Sequence, residues 1–352
     1  VNTALKELTD EEKYSYSSSD GSPLFKDSVK RWVFGDNYDY FNEYTDVIAS
    51  LGGTGALSLA FSNYLNHNEN VILPNYMWTN YTQIAEEHER GYVEYNYLKD
   101  DKFDLDDFKE KALIEAKERK KVMLLLNDPA ENPTGYSLTD DELDNLITTL
   151  NELSKISQVV LVIDLAYIDY YKEGYKKSRE RILKYKNLNE DIITLFSFSA
   201  SKSFGLYGLR VGGLICYSKD KNNIKSFNDT VKFSARSIWS NASNLGLNLI
   251  SKIITDDKLK NSYLKELDDS RKMLLKRGKV FIDEANKYNI KTLPYDSGFF
   301  VSILSDDPEK LYEDLKKHKL HVIPFDNLIR IAISSINFEE VKKIPYILSK
   351  VL

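Results

Sequence analysis

The middle of the chain alternates short apolar, β-branched runs with longer stretches patterned for helix. That pattern predicts strands over Val71–Leu73, Tyr92–Tyr95, Val122–Leu126, Val159–Ile163, Ile192–Phe196 and Gly213–Tyr217. Helices are expected over Ala56–Leu65, Asn80–His88, Leu105–Glu118 and Asp140–Ser154. The last opens on Thr139-Asp140-Asp141-Glu142, a Thr-x-x-Glu capping box in which each end satisfies the other's backbone amide. Buried parallel strands read as unbroken apolar runs, and Gln158–Ile163 reads that way. The alternation argues for an α/β unit with a mostly parallel sheet. Helices dominate beyond Ile250, with breaks expected near Asp256-Asp257 and Asp268–Ser270. The tail then reads strand, helix, strand, helix over Gly298–Leu304, Pro308–Lys317, Leu328–Ser334 and Phe338–Ser349, a smaller α+β unit.

Composition narrows the function classes. At 352 residues, 42% apolar and 29% charged, the chain is long enough for a sizeable core and unlike a disordered one. No run approaches the roughly 20 apolar residues of a membrane helix. No basic segment ahead of an apolar run marks a secretion signal, and Val1 rather than Met stands first, as a trimmed start would leave it. A net charge of −6 disfavours nucleic acid as a partner. One cysteine and four scattered histidines leave no disulfide and no metal cage. A soluble, cytoplasmic protein without metal, membrane or nucleic-acid partner is expected.

In an open α/β sheet, ligands bind beyond the C-terminal ends of the strands. Polar groups follow those ends here: Asn127 to Gly135 after one strand, Asp164-Leu165-Ala166-Tyr167 after the next, and Ser199-Ala200-Ser201-Lys202 after a third. Arg210 follows at the end of the Ser203–Leu209 stretch. Gly52-Gly53-Thr54-Gly55 precedes the Ala56 helix, where free amides favour an anion. Singly, each piece reads as a turn, a cap or a solvated side chain. Together they supply what pyridoxal phosphate chemistry requires: a lysine, a carboxylate for the pyridine nitrogen, a group for the ring 3-oxygen, a stacking aromatic and a phosphate cup.

The order of these motifs resembles the fold-type I pyridoxal-phosphate-dependent aminotransferases of class I and II, and within them the aspartate/aromatic group. Ser201-Lys202-Ser203-Phe204-Gly205-Leu206-Tyr207-Gly208-Leu209-Arg210-Val211-Gly212 is similar to that group's lysine-centred motif nearly position by position. Gly52–Leu57 and Asp164–Tyr167 are similarly close, and the resemblance runs from about Tyr14 to Arg330. It implies a seven-stranded, mostly parallel sheet in a large cofactor-binding domain over 14–265, with 1–13 and 266–352 forming a small α+β domain.

Residue by residue, Lys202 matches the Schiff-base lysine that also moves the proton between Cα and C4′. Asp164 matches the carboxylate on the pyridine nitrogen. Tyr167 and Asn132 match the groups on the ring 3-oxygen, and Trp78 the stacked aromatic. Gly53, Thr54, Ser199 and Arg210 match the phosphate cup. Arg330 matches the arginine whose planar fork holds the substrate α-carboxylate, a contact Asn132 shares. Arg236 resembles the arginine that crosses a dimer interface to the distal carboxylate of aspartate or glutamate. Tyr16 resembles the tyrosine that reaches the neighbouring subunit's phosphate, with Tyr14 as the competing choice. The resemblance thus implies a homodimer with shared sites. It also implies a ping-pong transaminase acting on an L-amino acid, aspartate or aromatic, and a 2-oxo acid such as 2-oxoglutarate. A lyase working by β-elimination and a non-catalytic cofactor-binding protein are the alternatives. Asn127 and Tyr81 depart from the pattern, since that group carries histidines at both places.

Overall fold

The apolar runs of the middle chain become the strands of one sheet. A computed structural model of the chain describes residues 1–325 and 327–352. The strands are β1 (Thr45–Leu51), β2 (Asn70–Pro74), β3 (Gly91–Tyr95), the short pair β4 (Leu98–Lys99) and β5 (Lys102–Phe103), β6 (Lys121–Asn127), β7 (Gln158–Asp164), β8 (Ile193–Ser199) and β9 (Val211–Tyr217). Seven of them form a sheet in the order β1-β9-β8-β7-β6-β2-β3. β9 runs antiparallel to both neighbours, and the other pairings are parallel. The expected α/β fold with a mostly parallel seven-stranded sheet is what the chain adopts. Val122–Leu126 and Val159–Ile163 are buried along their whole length, because helices cover both faces of the sheet.

β1 was not expected. Only Val47-Ile48-Ala49 is apolar without interruption between Asp46 and Ser50, too short a run to signal a strand. Two further helices were legible but unexpected. Pro23–Phe34 starts where the Ser22 hydroxyl accepts from the Phe25 amide, with proline in the first turn. It buries Phe25, Val29, Trp32 and Val33 at helical spacing. Lys221–Trp239 buries Phe227, Val231 and Ala235 in the same way.

The C-terminal portion has its own three-stranded antiparallel sheet, β10 (Phe300–Leu304), β12 (Leu328–Ala332) and β11 (Ile323–Phe325), in that order. Its core joins Val301, Ile303 and Ile329 to Leu311 and Leu315 of helix Pro308–Lys317 and to Val341 and Ile344 of helix Phe338–Leu348. Helix Asp257–Lys287 links this core to the large one, with Leu267 and Leu274 in the large core and Phe281 and Ala285 in the small. The break expected near Asp256-Asp257 occurs, because Asp256 caps the helix. The break expected over Asp268–Ser270 does not. Asp268 pairs with Arg271 and Lys272 at helical spacing, and the Ser270 hydroxyl donates to the Glu266 carbonyl, so these polar residues sit within an unbroken helix. The helix therefore passes through the expected boundary at 265. Ala4 and Leu8, expected in the small unit, are buried in the core of the large sheet. Among the described residues, no helix is long and apolar enough to cross a membrane.

Candidate active site

β6, β7 and β8 all point their C-terminal ends at one cleft with about 630 Å³ of atom-free space. Asp164, the last residue of β7, lies at its floor and is 5% exposed. One carboxylate oxygen accepts from the Tyr81 hydroxyl at 2.8 Å and the other from the Ala166 amide at 3.0 Å. Burial raises the carboxyl's pKa, while the Tyr81 bond and the Lys202 charge oppose that rise. Asn127, at the end of β6, ties two strand ends together. Its amide donates to the Asp164 carbonyl at 2.9 Å, and its carbonyl oxygen accepts from the Asn132 amide at 3.0 Å.

Lys202 comes from a single turn, Ala200–Ser203, that follows β8 and is capped by the Ser199 hydroxyl. Its Nζ lies 5.6 Å from the ring centre of Tyr167 and 5.9 Å from that of Tyr207. Burial lowers its pKa; Asp164 opposes this, and the Arg210 and Arg330 charges add to it. A lysine so placed is a nucleophilic amine at lower pH than a solvated one. Tyr167 is buried edge-on against Phe299, and burial holds its phenol protonated.

Beside the lysine lies a concave wall shaped by glycine. Gly52 has φ +73°, and a Cβ there would meet the Arg210 guanidinium at 2.8 Å. A Cβ on Gly53 would come within 3.2 Å of the Ser199 Cβ. Both open the 13-residue helix Gly52–Tyr64, whose first amides have no helical acceptor. Thr54, Ser199, Ser201 and Arg210 complete the wall. Arg210 is held by Nη1 donating to the Tyr207 carbonyl at 3.0 Å and to the Ser201 hydroxyl at 3.4 Å. A helix N-terminus, hydroxyls and a guanidinium together suit a phosphate dianion.

Arg330, on β12, approaches from the C-terminal sheet. Its Nη1 donates to the Asn132 side-chain carbonyl at 2.7 Å, and its guanidinium lies 4.3 Å from the Phe300 ring centre. Burial lowers its pKa, with Tyr167 and Glu131 opposing. Trp78 lines the cleft, its ring edge-on to Tyr81 at 5.5 Å. Tyr16 and Arg236 are not brought into this cleft. They lie on an exposed face, where Arg236 Nη1 donates to the Tyr16 hydroxyl and, at 2.9 Å, to the Ser240 hydroxyl. Sequence reasoning passed over Ser201 and Tyr207, although both stand inside the lysine-centred motif. It also missed Glu131, which is fully buried. Its Oε2 accepts from the Thr134 amide at 2.9 Å and hydroxyl at 2.6 Å, and burial pushes it up to about 8 against those bonds and the Arg330 charge.

A buried carboxylate and a lysine in one cleft, with an anion cup beside them at the strand ends of an α/β sheet, suit a phosphorylated cofactor. The chain belongs to the class I and II aminotransferase family, whose model matches residues 1–344. It is 26% identical over 287 residues to the mitochondrial aspartate aminotransferase of Saccharomyces cerevisiae, covering 72% of this chain and 62% of that protein. It is 26% identical over 273 residues to the aromatic-amino-acid aminotransferase of Paracoccus denitrificans, covering 76% and 66%. The chain thus spans somewhat less than two thirds of these relatives' length. Among solved structures, an aminotransferase from Anaerococcus prevotii superposes with a TM-score of 0.94 at 32% identity, covering 99% of this chain and 85% of that one. The aromatic-amino-acid aminotransferase of Burkholderia pseudomallei, covalently bound to pyridoxal phosphate, shares the fold with a TM-score of 0.82 at 21% identity, covering 100% and 87%. The family's cofactor is pyridoxal phosphate, and the residues here fit it: Gly52 and Gly53 let Arg210 and Ser199 close in on the cup where a Cβ would crowd them, and Asp164 and Lys202 share the cleft.

Proposed function

We propose that the chain is a ping-pong transaminase that moves an amino group between an L-amino acid and a 2-oxo acid, with L-aspartate and 2-oxoglutarate the first pair and aromatic amino acids a further donor class. The observation that carries this reading is the joint placement of Lys202, Asp164 and the Gly53–Arg210 cup in one cleft, with Arg330 reaching Asn132 at its rim. When bound, the cofactor supplies an electron sink that makes the substrate Cα–H acidic.

This chain's residues do the rest. Gly53, Thr54, Ser199 and Arg210 hold the phosphate. Asp164 holds a proton on the ring nitrogen, and Tyr167 and Asn132 bond the ring oxygen. Trp78, in the cleft wall, would stack on the ring and keep water from its face. Lys202 would anchor the cofactor through its amine, and that amine, when free, would take the proton from the substrate Cα. Its burial among cations favours the neutral amine that this transfer needs. Arg330 binds the α-carboxylate with the fork that Asn132 already orients.

Tyr16 and Arg236 lie outside their own cleft, which supports a two-fold homodimer in which each pair serves the partner's site. Residues 14–265 would then form the cofactor-binding unit and 266–352 the unit that brings Arg330 to it.

The absorption spectrum of the purified protein, before and after L-aspartate alone, tests the reading. A yellow band that aspartate bleaches is expected. A protein that stays colourless after pyridoxal phosphate is supplied would overturn it, and a yellow band indifferent to aspartate would remove aspartate as donor.

A further inference from the structure

Tyr81 touches both Trp78, edge-on at 5.5 Å, and Asp164, through a hydroxyl bond of 2.8 Å. It is 1% exposed, lines the cleft, and comes from helix Asn80–Glu87, an element remote in sequence from β7. We propose that Tyr81 is the positioning residue of Asp164, its hydroxyl fixing the direction of the carboxylate and favouring its ionised form. The inference rests on the reading of Asp164 as the partner of the cofactor's ring nitrogen.

Asp164 is fixed from three sides. The Ala166 amide takes one carboxylate oxygen, Tyr81 the other, and Asn127 holds the backbone carbonyl. Burial alone disfavours the carboxylate, so a donor aimed at it shifts the balance back toward the charged form. The Tyr81 phenol is pushed well above its ordinary value, first by burial and then by Asp164 and Glu131. It therefore stays a donor wherever the enzyme works. The titratable groups facing this pair are Lys202, Glu131 and Tyr167.

Tyr81 and Asn127 stand where the resembled group carries histidines, and neither titrates near neutral pH. A histidine at position 81 would, with an ordinary pKa of about 6.5. Here the charge on Asp164 is shielded from that titration. The consequence is a cofactor ring whose protonation does not depend on a neighbouring switch between about pH 5 and 8.

The test compares the wild type, Tyr81→Phe and Tyr81→His, each reconstituted with pyridoxal phosphate, by thermal melting, by cofactor dissociation, and by the cofactor absorption band titrated from acid to alkaline pH. Tyr81→Phe, which removes only the hydroxyl, is expected to release cofactor roughly 10- to 100-fold more readily, the range for losing a hydrogen bond to a charged group. Tyr81→His is expected to add a second inflection, from the imidazole at about pH 6–7, to the wild-type band's own titration. Tyr81→Phe with wild-type affinity and spectrum would overturn the inference, as would a Tyr81→His titration superimposable on the wild type. If melting shows that the Phe variant does not fold, the His titration decides alone. A wild-type protein that takes up no cofactor overturns the parent reading and this one with it. Uptake with indifferent variants overturns this one only.

Discussion

Replacing Glu131 by glutamine should stabilise the protein, and by more at high pH than at low. Glu131 is fully buried, and one of its oxygens has no partner among the described residues. The Tyr95 and Tyr97 hydroxyls, also buried without partners among the described residues, interact electrostatically with it. Burial moves the carboxyl from 4.5 to about 8. Between those values the folded protein keeps the proton while the unfolded chain gives it up. The unfolded state then binds fewer protons, so stability falls as pH rises, and the loss is complete above about 8. At about 1.4 kcal/mol per pKa unit the full loss has a ceiling of about 5 kcal/mol. Glutamine keeps an acceptor for the two Thr134 bonds, turns an amide toward the tyrosine hydroxyls and has nothing to ionise. Urea unfolding of the apo protein at pH 5 and pH 8.5 measures the effect. The gain of Glu131→Gln should be small at the lower pH and a few kcal/mol at the higher. Stability curves that run parallel at both pH values would refute the reasoning.

Three further outcomes follow from the site. Lys202→Ala should abolish multiple turnover while leaving the fold intact, and steady-state rates at the wild-type level would remove Lys202 from the chemistry. Arg330→Lys keeps a charge but loses the fork that donates to Asn132 and, in the proposed function, to a substrate carboxylate. A loss of about 1.5–3 kcal/mol, or some 10- to 100-fold in kcat/KM, should appear for every amino-acid donor. Arg236→Ala should depress turnover of dicarboxylic substrates and spare aromatic ones, whereas equal loss for both, measured as paired kcat/KM values, would deny it a role at the distal carboxylate.

The candidate cleft was legible where chemistry follows directly from a strand end. Asp164, Ser199 and Lys202 sit at or just beyond β7 and β8, so locating the strands located them. Gly53 and Thr54 were equally local, at the start of one helix. What the sequence did not reveal is contact between distant segments. The Tyr81 hydroxyl reaches Asp164 across 83 positions, and Arg330 reaches Asn132 across 198, so only the folded packing decides which donor meets which acceptor. Glu131 escaped notice because its chemistry lies in its burial, and a glutamate in a Pro/Asn-rich turn ordinarily reads as exposed. β1 was lost because its apolar run is three residues long, and helix Asp257–Lys287 was cut in two because its ion pairs were read as a loop.

That unbroken helix has a thermodynamic consequence. At 1.5 Å per residue its 31 residues extend roughly 45 Å, with one half embedded in each core. Neither core can melt alone without unwinding half of a helix that the other still grips. The two should therefore unfold as one cooperative unit. Amides near Leu274, flanked by buried turns on both sides, should be among the slowest in the helix to exchange with solvent.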